Sequence, residues 1–174
     1  MIRRSKRVAA PPERSVLFVC LGNICRSPTA EAVFRVTAER AGILAALDVD
    51  SAGIGDWHVG APPDRRAIAA AYRRGYDLTR LRGRQVTAED FDRFHWIFAM
   101  DQANLRALEA LRPATYAGHL GLFLTMAPDE TLREVPDPYY GGAAGFDHVL
   151  DLIEEASEAL VAKLRTRIPP PEAS

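Results

Sequence analysis

Val16-Leu-Phe-Val-Cys-Leu-Gly-Asn-Ile-Cys-Arg-Ser-Pro-Thr-Ala-Glu31 is the stretch on which the fold turns. It reads as a buried strand, a tight loop and a helix start. Val16 to Val19 is a short apolar run of β-formers, too short for a helix. Gly22 and Asn23 both tolerate positive φ and mark a turn. Ser27 reads as an N-cap, Pro28 as the first helical residue and Glu31 as a first-turn carboxylate. The loop from Cys20 to Arg26 therefore hangs between a strand end and a helix N-terminus. Backbone N–H groups are unpaired there and the helix dipole is positive, so an anion is favoured. The same donors favour a cysteine thiolate. Arg26 adds a planar fork that fits two phosphate oxygens. A nucleophile, a cradle of amides and a guanidinium around one anion site make a phosphoryl-transfer centre.

Outward from this loop, 174 residues are one domain's worth and can bury a real core. With 48% hydrophobic and 26% charged residues the composition is ordinary globular, and a net charge of −1 gives no reason to expect nucleic acid or a membrane surface as partner. Two cysteines on one tight loop are not a disulfide framework, which points to a reducing, cytoplasmic setting. No apolar run approaches the ~20 residues of a membrane span. Met1-Ile-Arg-Arg-Ser-Lys-Arg7 is basic, but the apolar run behind it is too short for a signal-peptide core, so 1–13 is expected to be a solvated tail. A single domain is expected over 14–168, followed by a Pro-rich tail at 169–174.

After the loop, Ala30, Val33, Phe34, Thr37 and Ala41 share one helical face, with Glu31, Arg35, Glu39 and Arg40 opposite and Gly42 as C-cap. A second strand is expected over 47–52, then a breaker-rich loop, 53–63, carrying Trp57. Asp64 opens a helix with Ile68, Ala71 and Tyr72 inward, ending at Gly75. Thr87 caps one short helical turn reaching Phe91. Trp96 to Met100 is a third strand. Asp101 caps a helix with Leu105, Leu108 and Leu111 on its face, stopped by Pro113. Leu120 to Leu124 is the weakest strand. Gly141-Gly142 lead into the longest helix, with the stripe Phe146, Val149, Leu150, Ile153, Ala156, Leu160 and Leu164, ended by Pro169-Pro-Pro171. Alternating strands and helices predict an α/β sandwich with a mainly parallel sheet; the fold expected is a three-layer sandwich with a four-stranded parallel sheet and flavodoxin-like topology. Ligands of such sheets sit beyond the carboxyl ends of the strands. Cys20, Trp57, Asp101 and Asp137 each follow a different strand and so fall on that one edge.

Cys20-Leu-Gly-Asn-Ile-Cys-Arg-Ser-Pro28 resembles the signature loop of the low-molecular-weight protein tyrosine phosphatases. Asp137-Pro138-Tyr139-Tyr140 resembles the family's general-acid loop. Ser51-Ala52-Gly53, Trp57-His58, Pro63-Asp64, Met100-Asp101 and Asn104 add to the likeness, which extends over roughly 14–167. The resemblance implies hydrolysis of aryl phosphate monoesters through a phosphocysteine. Cys20 is the expected nucleophile, Arg26 the holder of two equatorial oxygens and Asp137 the general acid, its backbone kept extended by Pro138. Leu21, Gly22, Asn23, Ile24 and Cys25 would supply the phosphate loop. Ser27, besides capping, has a hydroxyl that can donate to the Cys20 sulfur. Asn23 is expected in the left-handed region, tying the loop down through its amide, and by resemblance Ser51 would bond to it. Cys25 is either a packed thiol or, by resemblance, a disulfide partner that shields Cys20 from oxidation. Trp57, Tyr139 and Tyr140 would wall a slot for an aromatic ring. Asp101 is either a helix cap only or a carboxylate that orients the loop.

No metal and no other cofactor is expected, because Arg26 and the amides supply the positive field; the expected partners are phosphotyrosine proteins. Where the family has a supporting histidine, this chain has Leu81, in Leu81-Arg-Gly-Arg-Gln85. Four alternatives are weighed. Thioredoxin-coupled arsenate reductases of this fold need further cysteines, and the chain has only two. A phosphate-binding module without catalysis is disfavoured by the intact Cys20, Arg26 and Asp137. Nucleotide binding fails for want of a Gly-x4-Gly-Lys-Ser/Thr or Gly-x-Gly-x-x-Gly run. Protein-arginine phosphatases of the family carry threonine where this chain has Ile24.

Overall fold

The computed structural model describes residues 10–129 and 131–168. Strands β1 (Ser15–Cys20), β2 (Asp48–Gly53), β3 (Trp96–Ala99) and β4 (His119–Leu122) form one parallel sheet in the order β2-β1-β3-β4. The helices are α1 (Arg26–Arg40), α2 (Arg65–Arg73), α3 (Asp90–Arg93), α4 (Gln102–Leu111) and α5 (Ala143–Arg165). β1 is buried on both faces, as an apolar run in a parallel sheet requires. Its alternate side chains go to different cores. Val16 and Phe18 pack with Phe34 of α1 and the α5 stripe, while Leu17 and Val19 pack with Phe91, Phe94 and Leu108 on the other face. This is the expected three-layer α/β sandwich. Phe18 sits at the centre, its ring 4.9 Å from Phe123 and 5.5 Å from Phe34.

The chain leaves β1 for β2 on one side and then crosses to β3 on the other. β1 is therefore where the strand order reverses, and the crevice beyond its carboxyl end is the place for a ligand. Cys20 is its last residue. Asp64 and Asp101 cap their helices as expected, accepting from the N–H groups of Arg66 and Asn104 at 2.8 Å. Gly42 and Gly75 take positive φ just past α1 and α2.

Several local expectations are corrected. Ser27 is not an N-cap: α1 begins at Arg26, Cys25 occupies the capping position, and no side chain caps the end. The Ser27 hydroxyl is turned inward to other partners. Glu31, placed by periodicity on the polar face, is buried, because that face of α1 meets the edge of β2 rather than water. Tyr72 is exposed, and Ala67, Ala70 and Ala71 make the buried face of α2. Leu111, the last residue of α4, is exposed. The turn does open at Thr87, whose carbonyl accepts the Asp90 N–H at 3.1 Å and whose own N–H donates to the Asp90 carboxylate at 2.8 Å, and the regular helix α3 follows from Asp90. β4 ends at Leu122, where a 3₁₀ turn, Phe123–Met126, takes over. Residues 10–13 of the expected tail lie against the domain, with Pro11 buried and the Glu13 carbonyl accepting from the Trp96 indole at 2.9 Å. Residues 1–9 and 169–174, with the helix-ending prolines, fall outside the described residues.

Candidate active site

At the carboxyl edge of the sheet lies a cleft of about 310 Å³. Cys20, Leu21, Gly22, Ile24, Cys25 and Arg26 line it from the loop after β1, with Trp57 and His58 from the loop after β2, and Asp137, Tyr139 and Tyr140 from the segment before α5. Asn23, Ser27 and Ser51 stand behind the loop. The expected residues thus converge in two layers, one facing the cleft and one supporting it.

Cys20 is buried, and its sulfur is 3.1 Å from Ser27 Oγ. Arg26 is 3% exposed and held from several sides. Its Nη1 donates to Asp101 Oδ2 at 2.6 Å and to the Val135 carbonyl at 3.1 Å, and its Nη2 lies 3.5 Å from Asp137 Oδ2. Burial opposes the charge, but Cys20, Asp101 and Asp137 outweigh it and the guanidinium is held more firmly protonated. Asp101 fills both of its alternatives at once. Oδ1 accepts the N–H of Asn104 and caps α4, while Oδ2 fixes Arg26. Asp137 Oδ1 accepts from the Tyr139 N–H at 3.1 Å, an Asx turn built around Pro138. Val135, fully buried, pins this segment to the end of β3 by donating its N–H to the Met100 carbonyl at 2.8 Å.

The mouth is aromatic. Trp57 and Tyr140 are largely exposed, Tyr139 packs edge-on against Tyr140 at 4.9 Å, and Arg66 lies over the Tyr139 ring at 5.4 Å. Glycines set the spacing. A Cβ on Gly53 would lie 3.0–3.1 Å from the backbone of Leu21, Gly22 and Asn23, so the end of β2 can approach the loop only without a side chain. A Cβ on Gly55 would overlap the Trp57 ring.

Behind the loop, Asn23 is the one non-glycine residue with positive φ, 57°, among the described residues. Its Nδ2 donates to Ser27 Oγ at 2.8 Å and to Ser51 Oγ at 3.1 Å, and its Oδ1 accepts the Arg84 N–H at 3.1 Å. Ser51 in turn donates to Glu31 Oε1 at 2.8 Å, and Arg35 Nε donates to Glu31 Oε2 at 2.9 Å. Leu81 is partly buried and packs on the core. Sequence reasoning assigned no role at the site to Glu31, Arg35 and Val135, and singled out Gly53 only as part of the family likeness. A carboxylate among apolar neighbours one turn into α1 was the only available signal for the first. The Cys25 thiol is pushed up to about 12, first by burial and then by Asp64, Cys20 and Asp137. The two cysteines are free. Among the described residues no group of three or more His, Cys, Asp and Glu side chains is placed to hold a metal ion. No described helix is long and apolar enough to cross a membrane.

Chemically, the arrangement can hold a tetrahedral oxyanion against a sulfur, with a carboxylate on the outer side and aromatic rings around the approach. Residues 15–169 match the family described as low molecular weight phosphotyrosine protein phosphatase. A low molecular weight protein-tyrosine-phosphatase of Bacillus subtilis is 42% identical over 151 residues, 87% of this chain and 96% of the relative. Among solved structures, a protein tyrosine phosphatase from Entamoeba histolytica with Hepes in the active site superposes with a TM-score of 0.84 at 39% identity, covering 88% of this chain and 97% of the other. A Drosophila arginine phosphatase superposes with a TM-score of 0.80 at 34% identity, covering 86% and 97%.

Proposed function

The chain belongs to the low molecular weight phosphotyrosine protein phosphatase family, and on that premise we propose that it hydrolyses phosphotyrosine in proteins through a phosphocysteine on Cys20. The reading is carried by the lining of a single cleft, in which Cys20, Arg26 and Asp137 meet under the rings of Trp57, Tyr139 and Tyr140. The Cys20 thiolate attacks phosphorus in line. The S–P bond forms as the bond to the aryl oxygen breaks, and Asp137 gives its proton to that oxygen. Arg26 and the N–H groups of the loop and of the start of α1 hold the three equatorial oxygens. Asp137, now a carboxylate, takes a proton from water as the water attacks phosphorus, and the thiolate departs toward the Ser27 hydroxyl.

Arginine phosphorylation is the second substrate class to consider, given the Drosophila neighbour. The apolar Ile24 on the cleft wall favours the flat face of a phenyl ring instead. Two free thiols on the catalytic loop suit a reducing cytoplasm, and the working unit is the 14–168 domain.

The test is Cys20→Ser assayed on phosphotyrosine, phosphoserine and phosphoarginine peptides. Turnover falls by at least about 10³-fold while inorganic phosphate still binds. Wild-type kcat/KM is highest for phosphotyrosine and is unchanged by a chelator. Wild-type rates on phosphoarginine equal to those on phosphotyrosine would overturn the substrate assignment. Retained turnover in Cys20→Ser would overturn the mechanism.

A further inference from the structure

We infer that Glu31 and Arg35, neither of which touches the cleft, are positioning residues that anchor Ser51 and, through it, the Asn23 amide that orients Ser27 toward Cys20. The inference rests on the reading of Cys20 as nucleophile. The direction of these hydrogen bonds can be worked out from donors that have no choice. The Arg84 backbone N–H can only donate, so Asn23 presents Oδ1 to it and Nδ2 to the two serines. Ser51, having accepted from Asn23, has a single hydrogen left and gives it to Glu31 Oε1. Ser27, having accepted from Asn23, likewise has one hydrogen left. Two acceptors are in reach, Cys20 Sγ at 3.1 Å and the Ala52 carbonyl at 3.3 Å. An ionised sulfur is the stronger of the two, so Ser27 donates to it both when the thiolate attacks and when it leaves.

At the other end of this chain Glu31 stands between two donors, the Ser51 hydroxyl and Arg35 Nε. Only an ionised carboxylate offers an acceptor to each. A neutral acid or an amide puts a donor against a donor on one side. Facing Ser51, that donor leaves the Ser51 hydrogen without its acceptor, and the hydroxyl on which Asn23 rests, at the one positively twisted non-glycine position of the loop, is no longer held in place. Arg35 also donates through Nη2 to the Val49 carbonyl at 2.5 Å, which fastens α1, the carrier of Ser27, to β2, the carrier of Ser51. Glu31 is 3% exposed. The charged groups facing it are Arg35 on its own helix and Asp50 on β2, itself paired with Arg84 and Arg93. Burial raises the Glu31 carboxyl above its ordinary range, and its bonds to Ser51 and Arg35 oppose that rise.

The experiment compares wild type, Glu31→Gln, Arg35→Met and the double variant by iodoacetamide alkylation of Cys20 at pH 6 and by kcat and KM for a small aryl phosphate across pH. Glu31→Gln is expected to lower both alkylation and kcat about tenfold with little change in KM, the effect of one charge-assisted hydrogen bond. In Arg35→Met the carboxyl has lost its cation, so the acid limb of kcat moves up by about one pH unit. The double variant loses that displacement, because no carboxyl remains to titrate. Thermal midpoints accompany each variant; should Glu31→Gln not fold, Arg35→Met carries the test through its pH profile. Wild-type alkylation and pH profiles in folded variants overturn the inference alone. Alkylation that leaves wild-type turnover intact removes Cys20 as nucleophile, and the inference falls with that premise.

Discussion

At the scale of single residues, most of the candidate site is a matter of which atom of a group faces which partner. Asp137 shows both halves of the problem. One oxygen is taken by the Tyr139 N–H, and the other points toward Arg26 and the cleft. Asp137→Ala should therefore slow phosphotyrosine turnover by about 10²–10⁴. Substrates whose leaving group needs no proton should lose far less; an equal loss for both would remove Asp137 from the acid role. Ile24 is an apolar residue of the loop that lines the cleft. Ile24→Thr should move the ratio of kcat/KM values toward phosphoarginine peptides, and an unmoved ratio would shift the selection to the aromatic mouth. Cysteines and the arginine of a loop can be read from spacing. Glu31 could not, since helical periodicity places it on a polar face and only the approach of β2 buries it.

At the scale of elements, the helix starts and strand ends do the aiming. Asp101 was legible as a cap from its position before α4, but its second oxygen reaches Arg26, far away in sequence. Asp101→Asn should leave the cap and lower kcat, because an amide keeps the acceptor for Asn104 and turns a donor toward the guanidinium. A loss of about 1 kcal/mol or more in thermal stability without a loss of kcat would make Asp101 a cap only. Gly53 closes β2 against the loop. Gly53→Ala should cost about 1–3 kcal/mol, measured by denaturant titration, and lower phosphate affinity with it. Unchanged stability would mean that the loop can move away from β2 freely.

At the scale of the whole molecule, the strand order puts all the site segments on one edge, and the opposite edge shapes the acid response. His95 and His119 lie there near the starts of β3 and β4, among aromatic rings and close to cations. Burial lowers both imidazoles below their ordinary range. The unfolded chain then takes up these protons first as pH falls. Their contribution is complete above about pH 6.5 and is lost progressively below it. Thermal midpoints should decline from that pH downward, and less steeply in His119→Gln; an identical decline would exclude His119 as a cause. The order of elements, the parallel sheet, the loop between β1 and α1 and the fork of Arg26 were all determined by the sequence alone. Each follows from local periodicity, short-range turn chemistry or a motif whose parts are near neighbours along the chain. Contacts between segments far apart in sequence were decided only by the tertiary structure: Asp101 and Val135 on Arg26, Gly53 under the loop, and Glu31 and Arg35 behind Asn23. Such partners depend on which faces the folded sheet brings together, and no periodicity of a single segment encodes that.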